Sequence, residues 1–78
     1  MNNIININKL SDEDLIREGE KGSFGFITKR SIMLCLFHKI DLSQYIHIIR
    51  EAIISNKSFR ANYIKTSNNT TMFEVGIM

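Results

Sequence analysis

The last twenty residues of the chain alternate between apolar and polar side chains on both sides of a short polar stretch. The two segments read "SFRANYIK" and "TTMFEVGIM", with apolar residues at every second position. Successive side chains of a strand point to opposite faces, so this pattern is typical of two strands that share one buried face. We therefore predict a C-terminal β-hairpin.

The alternation also predicts the register of the hairpin. Pairing Tyr63 with Phe73 brings the apolar residues of both strands to the same face. The strands then close at Thr66 and Thr70, and the loop ends on Asn69, a residue type that tolerates the left-handed backbone of such turns. The other predicted pairs are Ala61 with Val75 and Phe59 with Ile77.

The stretch "DLSQYIHIIREAIISN", residues 41–56, carries apolar residues at spacings of three and four. This periodicity predicts an isoleucine-rich helix, with Asp41 as its N-cap and Asn56 as its stop. Its polar residues are Ser43, Gln44, His47, Arg50, Glu51 and Ser55.

A second helix is favoured in "TKRSIMLCLFHK", where Thr28 is the expected N-cap and six apolar residues follow one another. Only Ile32 in that run is β-branched, which favours a helix, although a buried strand remains an alternative. Continuous apolarity indicates burial on most sides. The single Cys35 is expected to be a small core residue in a reducing compartment.

The N-terminal third predicts a short acidic helix. Ser11 stands three residues before Asp14, as in a capping box, and Gly19 or Gly22 is expected to end the helix. We expect "SFGFIT", residues 23–28, to form a short additional strand, and residues 1–9 to form an arm or another short strand. The spaced glycines lack the lysine–serine/threonine pair of a phosphate loop, so a turn is the favoured interpretation.

Length and composition set further expectations. Seventy-eight residues with 44% hydrophobic content predict a single domain, residues 1–78, near the lower size limit for an independent core. We expect no metal or other cofactor, no membrane span, no signal peptide and a cytoplasmic location.

Charge is unevenly distributed along the chain. Residues 1–20 contain two basic and five acidic side chains, whereas residues 21–78 contain eight basic and three acidic ones. The acidic start and the basic remainder permit one basic face on a chain whose formal net charge is only +2.

The predicted order of helices and strands resembles a winged helix-turn-helix, an α+β domain of three helices with a C-terminal hairpin as the wing. In this comparison Cys35 lies at the crossing of the second and third helices, and Ile40 fills the turn. Lys39 departs from the glycine that is usual in the turn, and His38 departs from the usual leucine.

The resemblance implies a DNA-binding surface. Ser43, Gln44, His47 and Arg50 would lie on the recognition helix, whose N-terminal residues meet base edges. The expected phosphate contacts are Lys29, Arg30 and Lys39 around the turn, with Arg60 and Lys65 on the wing. An ordinary solvated helix face is the alternative interpretation of the same polar residues.

Two functions follow from these patterns. The first is a small DNA-binding regulator, expected to form a homodimer through the isoleucine-rich helix. The alternative is a protein-binding inhibitor or adaptor, of the kind that phages and other mobile elements use to block a host nucleic-acid-processing complex. The acidic start of the chain and apolar residues such as Ile48 and Ile54 favour this alternative. No arrangement of a nucleophile beside a base indicates an enzyme.

Overall fold

Three helices precede a two-stranded antiparallel hairpin in the computed structural model, which describes residues 6–78. This confirms the predicted α+β order, while the winged helix-turn-helix assignment stays an interpretation. The elements are α1 (Asp12–Lys21), α2 (Phe26–Phe37), α3 (Ile46–Ile54), β1 (Phe59–Lys65) and β2 (Thr71–Ile77), with 3-10 turns at Ile7–Lys9 and Leu42–Tyr45.

The hairpin has the predicted register. Tyr63 lies opposite Phe73, and the pairing continues to the end of both strands. Asn69 adopts a φ of 63°, and the amide of Thr70 donates to the hydroxyl of Thr66. At the open end, Ser58 and Met78 exchange two backbone hydrogen bonds. The other predicted pairs, Ala61 with Val75 and Phe59 with Ile77, are also present.

The core lies where the three helices meet the first half of β1. Phe59 is the largest fully buried side chain, and Cys35 is buried beside it in the same cluster, as predicted. The remaining members are Leu15, Ile32, Leu42, Ile46, Ile49, Ala52 and Ala61.

Helix α1 begins and ends at predicted residues. The hydroxyl of Ser11 accepts a hydrogen bond from the amide of Asp14, and Gly22 ends the helix with a φ of 92°. Gly19 is buried against Ile32 of α2, so close that a Cβ atom there would collide with the isoleucine side chain. This contact sets the spacing between the first two helices.

The predicted strand at "SFGFIT" is wrong. Residues 22–24 form a turn, and α2 already begins at Phe26 after Gly25, whose φ of 99° suits glycine alone. Thr28 is therefore not the N-cap. It is fully buried within α2, and its hydroxyl accepts a hydrogen bond from the amide of Phe59 at 3.1 Å.

Residues 1–9 were predicted to form an arm or a short strand, and the described part, residues 6–9, is not a strand. Ile7–Lys9 form a 3-10 turn, in which the side chain of Asn6 accepts a hydrogen bond from the amide of Asn8. The remainder of the predicted arm, residues 1–5, lies outside the described residues.

The third helix is shorter than predicted because its first turn is a 3-10 turn. The Asp41 carboxylate accepts a hydrogen bond from the amide of Ser43 at 3.0 Å, and this bond caps the 3-10 turn Leu42–Tyr45. The α-helix begins only at Ile46. Asn56 ends the element with a φ of 57°, as a stop residue should.

Lys39 occupies the left-handed backbone region in the turn between α2 and the Leu42–Tyr45 segment, with a φ of 58°. Lys39 is thus in a strained conformation, because glycine adopts this backbone region without a steric penalty and lysine does not. We predict that Lys39→Gly raises the free energy of unfolding by about 0.5–1 kcal/mol, because the relief of strain exceeds the extra unfolded-state entropy of glycine. Urea denaturation measures the change. Lys39→Ala keeps the strain and should not stabilise; equal gains for both variants would contradict this explanation.

The bond between Thr28 and Phe59 gives a second prediction. Thr28→Val leaves the buried Phe59 amide without an acceptor and should cost about 1–3 kcal/mol of unfolding free energy. Hydrogen exchange provides a direct readout, since the Phe59 amide should lose its protection. Thr28→Ser retains the hydroxyl and should retain that protection. Slow exchange of this amide in the valine variant would show that the bond is dispensable.

Candidate interaction surfaces

The predicted recognition residues Ser43, Gln44 and His47 are exposed, on the Leu42–Tyr45 turn and the first turn of α3. The Ser43 hydroxyl donates to Asp41 at 2.7 Å, and this bond holds the pKa of the Asp41 carboxyl below its ordinary value. The Ser43 hydroxyl is therefore engaged with Asp41, the N-cap of the Leu42–Tyr45 turn. Among residues 6–78, the side chains of Gln44 and His47 have no hydrogen-bond partner, so both are available to a ligand.

Arg50 does not belong to this exposed set. Its guanidinium group donates to the carbonyl oxygen atoms of Ile7 and Leu10 and to the carboxylate of Asp12, at 2.9 Å for the last. The side chain retains only 22% of its exposure. Arg50 therefore anchors the N-terminal segment to α3, and its donors are already engaged by the fold.

The predicted phosphate-binding residues fall into three places. Lys29 is half-buried, with its stem near Gly22 at the α1–α2 turn. Arg30 and Arg60 lie on opposite walls of a groove between α2 and β1. Lys39 and Lys65 are exposed near the α2–α3 turn and the distal end of β1. Lys29 lies in the first turn of α2, eight residues or about 12 Å of helix from its end at Phe37, and Lys39 lies beyond that end.

An aromatic stack joins the α2–α3 turn to the hairpin. The ring of His38 lies parallel to that of Tyr63, with 4.1 Å between centroids, and Phe73 meets the His38 ring edge-on at 6.1 Å. A histidine suits position 38 because its imidazole ring stacks on the tyrosine ring. The stack also places the turn that carries Lys39 against the part of β1 that leads to Lys65.

The acidic residues of α1 are largely paired within the chain. The Ser23 hydroxyl bonds to Glu18 at 2.7 Å and, with help from Lys21, lowers the pKa of that carboxyl. Three of the five carboxylates have a basic partner: Asp12 with Arg50, Asp14 with Arg17, and Glu18 with Lys21. The acidic start of the chain is therefore less available to a basic partner than its composition indicated.

Helix α2 exposes several of its largest apolar residues, while Ile32 and three smaller residues face the core. Its buried residues are Thr28, Ser31, Ile32 and Cys35. In contrast, Phe26, Met33 and Phe37 are 72%, 50% and 80% exposed. The expectation that this apolar helix is buried on most sides is wrong, because the hairpin and the other two helices cover only one side of it.

The exposed side of α2 forms one wall of a groove, which we call the α2–β1 groove. The outer edge of β1 and the C-terminal Met78 form its other wall, and its volume is about 610 Å3. The groove is mainly apolar with two basic residues. Its lining includes Phe26, Met33, Phe37 and Met78 together with Arg30 and Arg60. Apolar surface of this kind on a small chain marks an interaction site more often than chance exposure.

Sequence reasoning missed this groove, although one signal was present. The last six residues of α2, residues 32–37, are all apolar, so their side chains point to every side of the helix and some of them must face away from the core. The isoleucine-rich helix, by comparison, exposes chiefly Ile54, at 56%, while Ile48 is half-buried against the core.

Other kinds of site find little support in residues 6–78. Burial raises the pKa of the Cys35 thiol to about 11, so it stays protonated and unreactive. Within this part of the chain, no three histidine, cysteine or acidic side chains gather as a metal site would require. No helix in the same range has the length and apolar content to cross a bilayer.

Comparisons with protein-family models, curated proteins and solved structures find no match to the chain.

The anchoring role of Arg50 can be tested by substitution. We predict that Arg50→Met lowers the free energy of unfolding by about 1–3 kcal/mol, because two backbone acceptors and a carboxylate lose a charged donor. Arg17→Met is the matched control, since it breaks an exposed pair with Asp14 and should cost less than about 1 kcal/mol. Urea denaturation of both variants decides; similar losses would argue against the anchor.

Proposed function

We propose that the chain is a small protein-binding module that docks its partner in the α2–β1 groove. The observation that carries this proposal is the exposure of Phe26, Met33 and Phe37 on α2, while other residues of the helix, Ile32 among them, face the core. Leaving such residues in water forgoes roughly 1.5–3 kcal/mol per side chain relative to full burial. A partner that covers this face recovers that free energy.

In this role the chain acts as an inhibitor or adaptor, by occupying a surface of a larger assembly such as a nucleic-acid-processing complex. The function requires no catalytic group and no cofactor. A single buried, protonated cysteine fits the reducing cytoplasm in which we place it.

DNA binding is the second candidate, and the placement of several polar and basic residues favours it. Gln44 and His47 point away from the core into solvent, and the His38–Tyr63 stack brings Lys39 and the end of β1 to one region. A glutamine amide pairs well with adenine, and the lysines would contact phosphate. Two observations place it second: Arg50 is engaged by the fold, and Arg30 and Arg60 lie in the apolar groove.

A homodimer through the isoleucine-rich helix accompanies the DNA-binding proposal. Its support in the structure is limited to the exposed Ile54 near the end of α3. An interface of standard size buries about 800 Å2 on each partner, which needs more apolar surface than one isoleucine supplies.

Affinity capture from a lysate of the natural host, with and without nuclease, separates the two functions. We predict nuclease-resistant capture of a protein by the tagged chain, and loss of at least about 90% of it in a Met33→Glu, Phe37→Glu variant, because the charges block burial in the groove. The matched control is Gln44→Ala, His47→Ala on the other surface, which should capture normally. All four positions are exposed, so both variants should fold; circular dichroism checks this.

The opposite pattern would establish the second candidate. Capture that disappears with nuclease and with the Gln44→Ala, His47→Ala variant, but survives the groove substitutions, would exclude protein binding through α2.

A further inference from the structure

We propose that the segment bound in the α2–β1 groove is an acidic amphipathic helix of the partner protein. This inference rests on the proposed function and adds the secondary structure and the charge of the ligand. Two features of the groove carry it: the spacing of the exposed residues along α2, and the two arginine residues among its apolar walls.

The spacing indicates a helical ligand. Phe26, Arg30, Met33 and Phe37 follow one another at intervals of four, three and four residues. This is the alternation of d and a positions in a heptad, the stripe through which one helix packs along another. The stripe extends over twelve residues, about 16 Å from the first to the last, so it accommodates roughly three turns of a second helix. No other part of residues 6–78 covers the outer side of this stripe, because Phe26 and Phe37 remain 72% and 80% exposed.

The charges of the groove indicate an acidic ligand. Arg30 projects from α2 and Arg60 from β1, and no acidic residue lines the groove between them. Within residues 6–78, no carboxylate lies within 4 Å of either guanidinium group. The polar contacts of Arg60 are to uncharged groups: the side-chain amide of Asn62, at 3.3 Å from Nε, and the sulfur atom of Met78, at 3.6 Å. Two arginines beside an apolar stripe match a helix whose apolar face is flanked by glutamate or aspartate.

A second copy of this chain fits the groove less well. Symmetric pairing of two grooves would bring four arginines together although no acidic side chain lines either groove, which is unfavourable at a desolvated interface. Docking of a neighbour's acidic α1 fails for a different reason. Its apolar residues Leu15 and Ile16 already pack in their own core, so α1 presents charge without an apolar face.

Three synthetic helices of about 21 residues provide the test, long enough to populate helix in solution. All carry the same leucine stripe, and the flanking positions are glutamate, glutamine or lysine. We expect the glutamate helix to bind roughly fivefold more tightly than the glutamine helix, with the lysine helix weakest, as two exposed charge pairs allow. Fluorescence anisotropy measures the dissociation constants, and the difference should shrink between about 0.05 and 0.5 M salt.

Charge reversal in the chain sharpens the test. An Arg30→Glu, Arg60→Glu variant should prefer the lysine helix over the glutamate helix. The control variant Lys29→Glu, Lys57→Glu changes net charge by the same amount at positions outside the groove lining, and should keep the original order. Circular dichroism establishes that both variants are folded before binding is measured.

Each other outcome overturns the inference. Equal binding of the glutamate and glutamine helices, or binding of none, would exclude an acidic helix as the ligand. Self-association by sedimentation that Met33→Glu abolishes would assign the groove to a second copy. Neither result decides the broader proposal, because nuclease-resistant capture that depends on Met33 and Phe37 measures protein binding independently of the probes.

Discussion

The attachment of the hairpin to the helices depends on Phe59. A two-stranded hairpin is marginally stable in water, so it needs a hydrophobic contact with another layer. Phe59 provides that contact, because its ring is fully buried in the core and its amide donates to Thr28 of α2. Just before it, Ser58 and Met78 hold the open end of the ribbon together. The line along which β1 meets α2, and hence the position of the groove, follows from this one residue.

The burial of α2 follows from the same constraint. Close approach of α1 and β1 to this helix requires small side chains at the contacts, and the buried residues Thr28, Ser31 and Cys35 meet that requirement, as does Gly19 on α1. Phe26, Met33 and Phe37 then face the other way. Within residues 6–78, no further helix or strand covers them. The interaction surface is thus a direct result of how the core is packed.

Local patterns predicted the elements whose signals are short-ranged. The register of Tyr63 with Phe73 followed from period-two alternation, and Ser11 and Asn69 followed from capping and turn chemistry. The predictions that were wrong needed knowledge of tertiary contacts. Thr28 looks like a cap in sequence, but its hydroxyl serves a strand thirty-one residues away. The role of Arg50 as a DNA contact stays a prediction, but nothing in the sequence indicated that its guanidinium group bonds to two backbone carbonyls and to Asp12, all in the N-terminal segment. Such distant pairings leave no local signature.

Burial declines along β1, from the enclosed Phe59 and Ala61 to the open Ile64 and Lys65. The tip of the ribbon, Ser67–Asn69, consequently carries almost none of the folding free energy. Loops of this kind tolerate added residues. A reporter peptide or a fluorophore attachment site inserted at the tip would thus leave the helices intact. The exposed end of the hairpin is therefore a suitable position for labelling the protein.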